Sequence, residues 1–261
     1  RGGLRRALER ENALGQELAG RSGRLIASWE LFRPLRFLSG GRSWELPGEG
    51  FAVMEQAEGA GHRGWFLREL LAECAKPMKA GRPLRRGGAP GAELSLRIME
   101  ELLKSLRDIH RAGCIHGDVQ DGNIFFMGPD PETGDIGVGQ LFDFGSARRL
   151  AGDGLTEPVS DRRIFCAPGY AAPEIRRRND GTLRLSAAAD VYSAGCLLLY
   201  LLRGMALRDC LGAELELADG LAPPLTRRRA ERLGFHGEAA GRVVELLARA
   251  LADEPEERYA D

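Results

Sequence analysis

The run Cys114-Ile115-His116-Gly117-Asp118-Val119-Gln120-Asp121-Gly122-Asn123-Ile124-Phe125-Phe126 narrows the fold more than any other stretch of the chain. It follows a segment of helical periodicity and leads into a short apolar run. Asp118 and Asn123, at i and i+5, therefore stand on a connection between a helix and a sheet. Leu141-Phe142-Asp143-Phe144-Gly145 then places a second carboxylate at the end of an apolar strand, before a Gly that permits the turn out of it. Taken singly, each Asp is an ordinary loop residue, since Asp and Gly are turn formers. Their order and spacing carry the reading. One carboxylate to orient a hydroxyl, with an amide and a second carboxylate for Mg²⁺, is the equipment of metal-assisted phosphoryl transfer.

The elements around these residues follow from periodicity. Leu94, Ile98, Leu102, Leu103, Leu106 and Ile109 mark an amphipathic helix over Glu93 to Arg111, and Gly113 caps it. Phe125-Phe126-Met127 and Gln140-Leu141-Phe142 read as a hairpin whose turn lies in Gly128 to Gly139. Upstream, residues 4–18 read as a helix with a charged outer face, Leu25 to Phe32 as strand and Arg33 to Gly50 as loop with turns at Gly40-Gly41 and Pro47-Gly48. Phe51 to Glu55 is a short strand, Trp65 to Cys74 a helix and Lys76 to Gly91 a loop. Downstream, 146–170 reads as a long surface loop, Ala187 to Leu202 as a buried helix, and two further helices fall near 226–234 and 238–252.

With 261 residues the chain can bury a sizeable core, as one large domain or two lobes. A composition of 43% hydrophobic and 29% charged residues, with a net charge of −1, argues against a general nucleic-acid or membrane-surface binder. The clusters Arg176-Arg177-Arg178 and Arg227-Arg228-Arg229 read as solvated faces. Five cysteines without CxxC spacing and four scattered histidines contain no readable zinc motif, and free thiols fit a reducing cytoplasm. The longest apolar run, Ala194 to Leu202, is too short to span a membrane. The expectation is a cytoplasmic chain with neither a nucleic-acid partner nor a membrane segment.

Ile115 to Ile124 resembles the catalytic loop of protein kinases (His-Arg-Asp, four residues, Asn), and Asp143-Phe144-Gly145 resembles their Mg-binding triplet. Gly169 to Glu174, with Ala172-Pro173-Glu174, is similar to the end of a kinase activation segment. Asp190 to Gly195 resembles the start of the buried helix that anchors the catalytic loop. Asp253 to Arg258 resembles the late motif whose Arg pairs with the Glu of Ala-Pro-Glu, which implies a Glu174–Arg258 pair. Phe51 to Gly59 looks like the fifth strand and hinge. That implies Met54 behind the adenine of ATP, and the backbone of Glu55 and Ala57 on its edge. The first helix would be the regulatory helix, with Glu11 as the Glu that pairs with the strand-three Lys. Glu9 is the alternative, and a solvated helix-face Glu the plain reading.

The resemblance implies an α+β, two-lobed protein kinase-like fold: a partial small β lobe over 1–57, starting at the regulatory helix, and a mostly helical large lobe over 58–261. It implies an ATP- and Mg²⁺-dependent phosphotransferase acting on Ser/Thr hydroxyls of a protein substrate. Asp118 and Asn123 would be catalytic, Asn123 and Asp143 the metal ligands. Thr156 and Ser160 would be hydroxyls of the activation loop able to accept phosphate.

The departures from the pattern are as informative. Neither the Gly-rich loop nor the Val-Ala-x-Lys strand is found in the 261 residues. Because the chain starts at Arg1 in mid-pattern, the expectation is an N-terminally truncated kinase with little or no activity in isolation. Gly117 stands where the family has the Arg that clamps a phosphorylated activation loop, Gln120 where Ser/Thr kinases have a Lys, and Ala167 where the activation segment has a Thr. His-Gly-Asp also resembles small-molecule phosphotransferases of the aminoglycoside and choline kinase type. Loss of Lys and Thr together keeps a third alternative open, a pseudokinase scaffold.

Overall fold

The computed structural model describes residues 13–18, 21–22, 28–32, 35–39, 42–46, 51–54, 58–59, 62–63, 65–67, 92–127, 136–158, 167, 169–176, 183–203 and 225–259. The fold is mixed α+β, with a mostly helical second half and small antiparallel sheets.

Helix α1 covers residues 13–18. Strand β1 (Ser28–Phe32) pairs antiparallel with β4 (Phe51–Met54), so both of those expected strands form. Between them, β2 (Leu35–Ser39) and β3 (Arg42–Leu46) make a hairpin where a loop was expected. The register sets Ser39 opposite Arg42 at the end of the pair. A minimal pair, β5 (Glu58–Gly59) and β6 (His62–Arg63), follows. Trp65–Phe66, expected in a helix, form β7 and pair with Phe126 and Phe125. Three consecutive apolar residues fit either element, and a partner far along the chain decides.

Helix α2 (Ala92–Arg111) has the expected stripe, with Ile98, Leu102, Leu106 and Ile109 buried; Leu103 falls off it and is half exposed. Gly113 turns the chain out of α2 with φ +71° and leads into β8 (Cys114–Ile115). Strands β9 (Ile124–Met127) and β10 (Val138–Leu141) form the expected hairpin, and with β7 make a three-stranded sheet of order β10-β9-β7. β11 (Arg148–Arg149) returns to pair with β8, giving the expected surface loop an ordered start.

Helix α3 (Pro173–Arg176) is one turn long, and α4 (Ala188–Arg203) is the core helix, with Leu197, Leu198, Leu199, Leu201 and Leu202 all buried. It packs between α2 and α6 (Glu238–Ala250), and α5 (Arg227–Arg232) packs on α6. Gly195 permits that approach: a Cβ there would stand 3.0 Å from Leu251 Cδ2 and 3.1 Å from Ala250 Cβ. Among the described residues no helix is long and apolar enough to cross a membrane.

Candidate active site

The loop from His116 to Asn123 is held from below by one carboxylate. Asp190, at the start of α4 and 1% exposed, accepts from the backbone N–H of His116 at 2.8 Å and of Gly117 at 2.8 Å; its Oδ2 also lies 2.8 Å from His110 Nε2 on α2. Burial alone would push the Asp190 carboxyl up. The His110 bond, the nearby His116 and the Gly117 N–H outweigh it and hold the group below the ordinary carboxylate range. The loop is thereby pinned to the two largest helices of the core.

Asp118, 8% exposed, points its carboxylate into a ring of neutral donors. Oδ2 accepts from Gln120 Nε2 at 2.8 Å and Asn123 Nδ2 at 2.9 Å, and Oδ1 accepts from the Ala167 N–H at 3.2 Å. Burial raises its pKa, opposed by Gln120, the Ala167 N–H, His116 and Asn123. Gln120 and Ala167, which stand at two positions of departure, thus still engage this carboxylate, one by its side-chain amide and the other by its main chain.

Asn123 Nδ2 also donates to the Asp118 carbonyl at 2.9 Å, so both of its hydrogens are committed and Oδ1 is the atom left to face a cation. Leu141 pairs with Ile124, and the Phe142 N–H donates to the Asn123 carbonyl at 3.2 Å; Asn123 and Asp143 therefore meet at one end of the β9–β10 hairpin. Asp143 is exposed, and its Oδ1 accepts from the Gly145 N–H at 3.3 Å. It is the one non-glycine residue with positive φ (65°) among those described, a conformation that costs energy and is kept where surroundings over-determine it.

Phe144 supplies part of that constraint. It is buried, tilts against the His116 ring at 5.4 Å between centroids and lies beneath α1, where a Cβ on Gly15 would be 3.3 Å from its ring. His116 Nε2 lies 3.0 Å from the Phe142 carbonyl, tying the loop to the strand that carries Asp143. Glu17 of α1 reaches Arg149 of β11 in an ion pair. Tyr170 donates to Asp121 at 3.0 Å and its carbonyl accepts from Ser193, which fixes the segment before α3 against the loop. Sequence reasoning missed His110, the Asp121–Tyr170 pair and the donor role of Gln120; a buried polar residue on an apolar helix face was the one available signal, at His110.

Residues 68–259 match the protein kinase domain family. The chain belongs to that family. Serine/threonine-protein kinase PknK of Mycobacterium tuberculosis is 31% identical over 175 residues, covering 66% of this chain and 14% of that protein. Serine/threonine-protein kinase PknL of Mycobacterium tuberculosis is 30% identical over 224 residues (81% of this chain, 44% of that protein). Serine/threonine-protein kinase PLK4 of Nematostella vectensis is 34% identical over 137 residues (52% and 12%). The chain spans less than half the length of each.

Within this kinase domain the structure brings together Asp118, Asn123 and Asp143. Met54 lies at the end of β4, opposite Ser28; Glu11, Glu9, Glu55, Ala57 and Ser160 lie outside the described residues. Among the described residues there is no group of three or more His, Cys, Asp or Glu side chains that could hold a metal alone. A site of one carboxylate and one amide oxygen fits Mg²⁺ as bound through few protein ligands, with phosphates and water completing the shell. The expected Glu174–Arg258 pair forms, bidentate at 2.8 and 2.8 Å. Thr156, expected as an accessible hydroxyl, is 1% exposed and engaged with Leu185.

Proposed function

We propose that this kinase domain is an ATP- and Mg²⁺-dependent phosphotransferase acting on Ser or Thr hydroxyls of a protein substrate. The observation that carries the reading is the ring of Gln120, Asn123 and Ala167 N–H donors about Asp118, beside the hairpin end shared by Asn123 and Asp143. A scaffold that bound partners by shape alone has no physical need to hold a buried carboxylate in that ring.

Asp118 accepts the hydrogen of the incoming hydroxyl and sets its direction, and Asn123 keeps that carboxylate in one orientation. Asn123 Oδ1 and the Asp143 carboxylate would hold Mg²⁺, which when bound neutralises charge on the phosphates. By the resemblance to the family, ATP would lie between a small lobe over 1–57 and a large lobe over 58–261, with Met54, Glu55 and Ala57 at the adenine and Glu11 as the Glu of the regulatory helix.

The test is phosphotransfer by the full-length protein with Asp118→Asn and Asp143→Ala. Loss of general-base positioning is worth roughly 10²- to 10⁴-fold, and turnover unchanged in both variants would sink the assignment. The triplet His116-Gly117-Asp118, which resembles that of aminoglycoside and choline kinases, keeps a small-molecule acceptor as the second reading. Presenting aminoglycosides, choline and a generic protein substrate in parallel separates the two.

A further inference from the structure

The segment that follows Asp143-Phe144-Gly145 is tied down at two places. At its start, Arg148 and Arg149 pair with Ile115 and Cys114 of β8, and the Leu150 N–H donates to the Gly113 carbonyl at 2.8 Å. Farther on, the Thr156 N–H donates to the Leu185 carbonyl at 2.8 Å, and the Leu185 N–H donates to Thr156 Oγ1 at 3.0 Å. Arg184 reinforces this second tie. Its Nε donates to the Thr156 carbonyl at 2.8 Å, and its Nη2 meets the Asp153 carboxylate at 3.0 and 2.8 Å. Between the ties, Leu150 and Thr156 form an antiparallel bridge, and the Ala151 N–H donates to the Leu155 carbonyl at 2.7 Å.

Both ties end on elements that hold Asp118. β8 runs directly into His116-Gly117-Asp118, and Leu185 leads within a few residues to Asp190, whose carboxylate receives the His116 and Gly117 N–H groups. Thr156 therefore closes a hydrogen-bonded ring that runs through β8, the His116–Asp118 loop, Asp190, Leu185, Leu150 and β11. With the ring closed, the loop is held from both ends. With it open, the loop keeps only its direct bonds to Asp190 and loses the second support that runs through Leu185 and β11.

We propose that Thr156, with Arg184 beside it, is a positioning residue for Asp118, its hydroxyl serving as a buried acceptor that locks the loop. The kinetic consequence rests on the phosphotransfer reading; the mechanical one does not. The two parts differ in weight. Arg184 and Asp153 side chains are 33% and 52% exposed, and an ion pair so solvated contributes little, whereas Thr156 is buried and its loss leaves the Leu185 N–H without its acceptor.

The experiment compares Thr156→Val, Thr156→Ser and Asp153→Asn in the full-length protein, by amide hydrogen exchange over residues 113–118 and by steady-state kinetics. In Thr156→Val, exchange across 113–118 accelerates while the global unfolding transition stays cooperative. kcat falls roughly ten- to a hundredfold with KM for ATP unchanged, as a displaced reacting group demands. Thr156→Ser restores both readouts, and Asp153→Asn stays within about twofold of the parent, the weight of an exposed pair. Unchanged exchange over 113–118 in folded Thr156→Val overturns the proposal, whatever the kinetics. If the parent protein transfers no phosphate, the function assignment fails and the exchange comparison still decides the pin. Should Thr156→Val not fold, Thr156→Cys, which replaces the hydroxyl by a weak sulfur acceptor of similar size, carries the same comparison.

Discussion

Arg258 and Glu174, 84 residues apart, meet as a two-bonded fork deep in the domain: Nη1 to Oε1 and Nη2 to Oε2, each at 2.8 Å. Arg258 spends its remaining donors on the carbonyls of Ala188, Ala252 and Asp253, and its guanidinium lies 5.0 Å from the Tyr192 ring centroid. One side chain thus joins α3, the first turn of α4 and the end of α6.

Removing it strands a carboxylate that is 17% exposed and three carbonyls at once. Arg258→Met is expected to cost about 3–5 kcal/mol, the range for breaking one side of a buried pair. The denaturant midpoint measures it, at unchanged slope. The double change Glu174→Gln with Arg258→Met should cost less than the sum of the singles, since the residues share one network.

Asp190 sets the acid limit of the fold. Its folded pKa lies below the ordinary value, so the stability it contributes is complete above about pH 4, the unfolded Asp value, and drains away as pH falls through the folded one. Asp190→Asn keeps the shape but turns one acceptor oxygen into a donor facing N–H groups. The variant is expected to be several-fold more populated in its unfolded form at neutral pH, and the difference should shrink below about pH 4. Equal pH dependence of the two proteins in acid unfolding would contradict this.

Gly117 stands where its backbone leaves no room for anything else. Its φ is +78°, and a Cβ would lie 2.7 Å from the Ser146 carbonyl oxygen and 3.4 Å from Ser146 Cβ. Gly117→Ala should cost at least about 1–2 kcal/mol for the left-handed backbone of an L residue, with the contact to Ser146 added. A lowered thermal midpoint checks it. Gly117→Arg meets the same obstacle, so inserting the side chain common in this loop of the family should destabilise the domain.

Much of this was legible because it is local. The stripe Ile98, Leu102, Leu106, Ile109 announces α2, and the strand runs on either side of Gly128 to Gly139 announce the hairpin that carries Asp143. The β2–β3 hairpin was missed although Gly40-Gly41 is a turn signal in the sequence, because Arg, Ser and Leu around it dilute the alternation. β7 was misread as helix because only pairing with β9, far along the chain, distinguishes the two. At the site, spacing singled out Asp118, Asn123 and Asp143, which the fold brings to one loop and one hairpin end. The donor role of Gln120 was hidden, since residue type tells of a lost charge and not of an amide 2.8 Å from a carboxylate.

That amide supplies the last expectation. Gln120 and Asn123 both donate to Asp118 Oδ2, so the loss of either leaves one donor there, with the Ala167 N–H still on Oδ1. A single bond to a charged group is worth about 1.5–3 kcal/mol, and part of that is recovered by the donor that remains. Gln120→Ala should therefore lower kcat by about tenfold, near the lower end of that range, while leaving ATP affinity in place. Gln120→Lys keeps a donor within reach of the same oxygen and should retain turnover within a few fold of the parent. Asn123→Ala removes the shared donor, the bond to the Asp118 carbonyl and the Oδ1 proposed as a metal ligand, so it should fall well below Gln120→Ala. Steady-state rates at several Mg²⁺ concentrations order the three variants: Asn123→Ala alone should shift the metal dependence. An equal shift in Gln120→Ala would mean that its amide serves the cation and not the carboxylate.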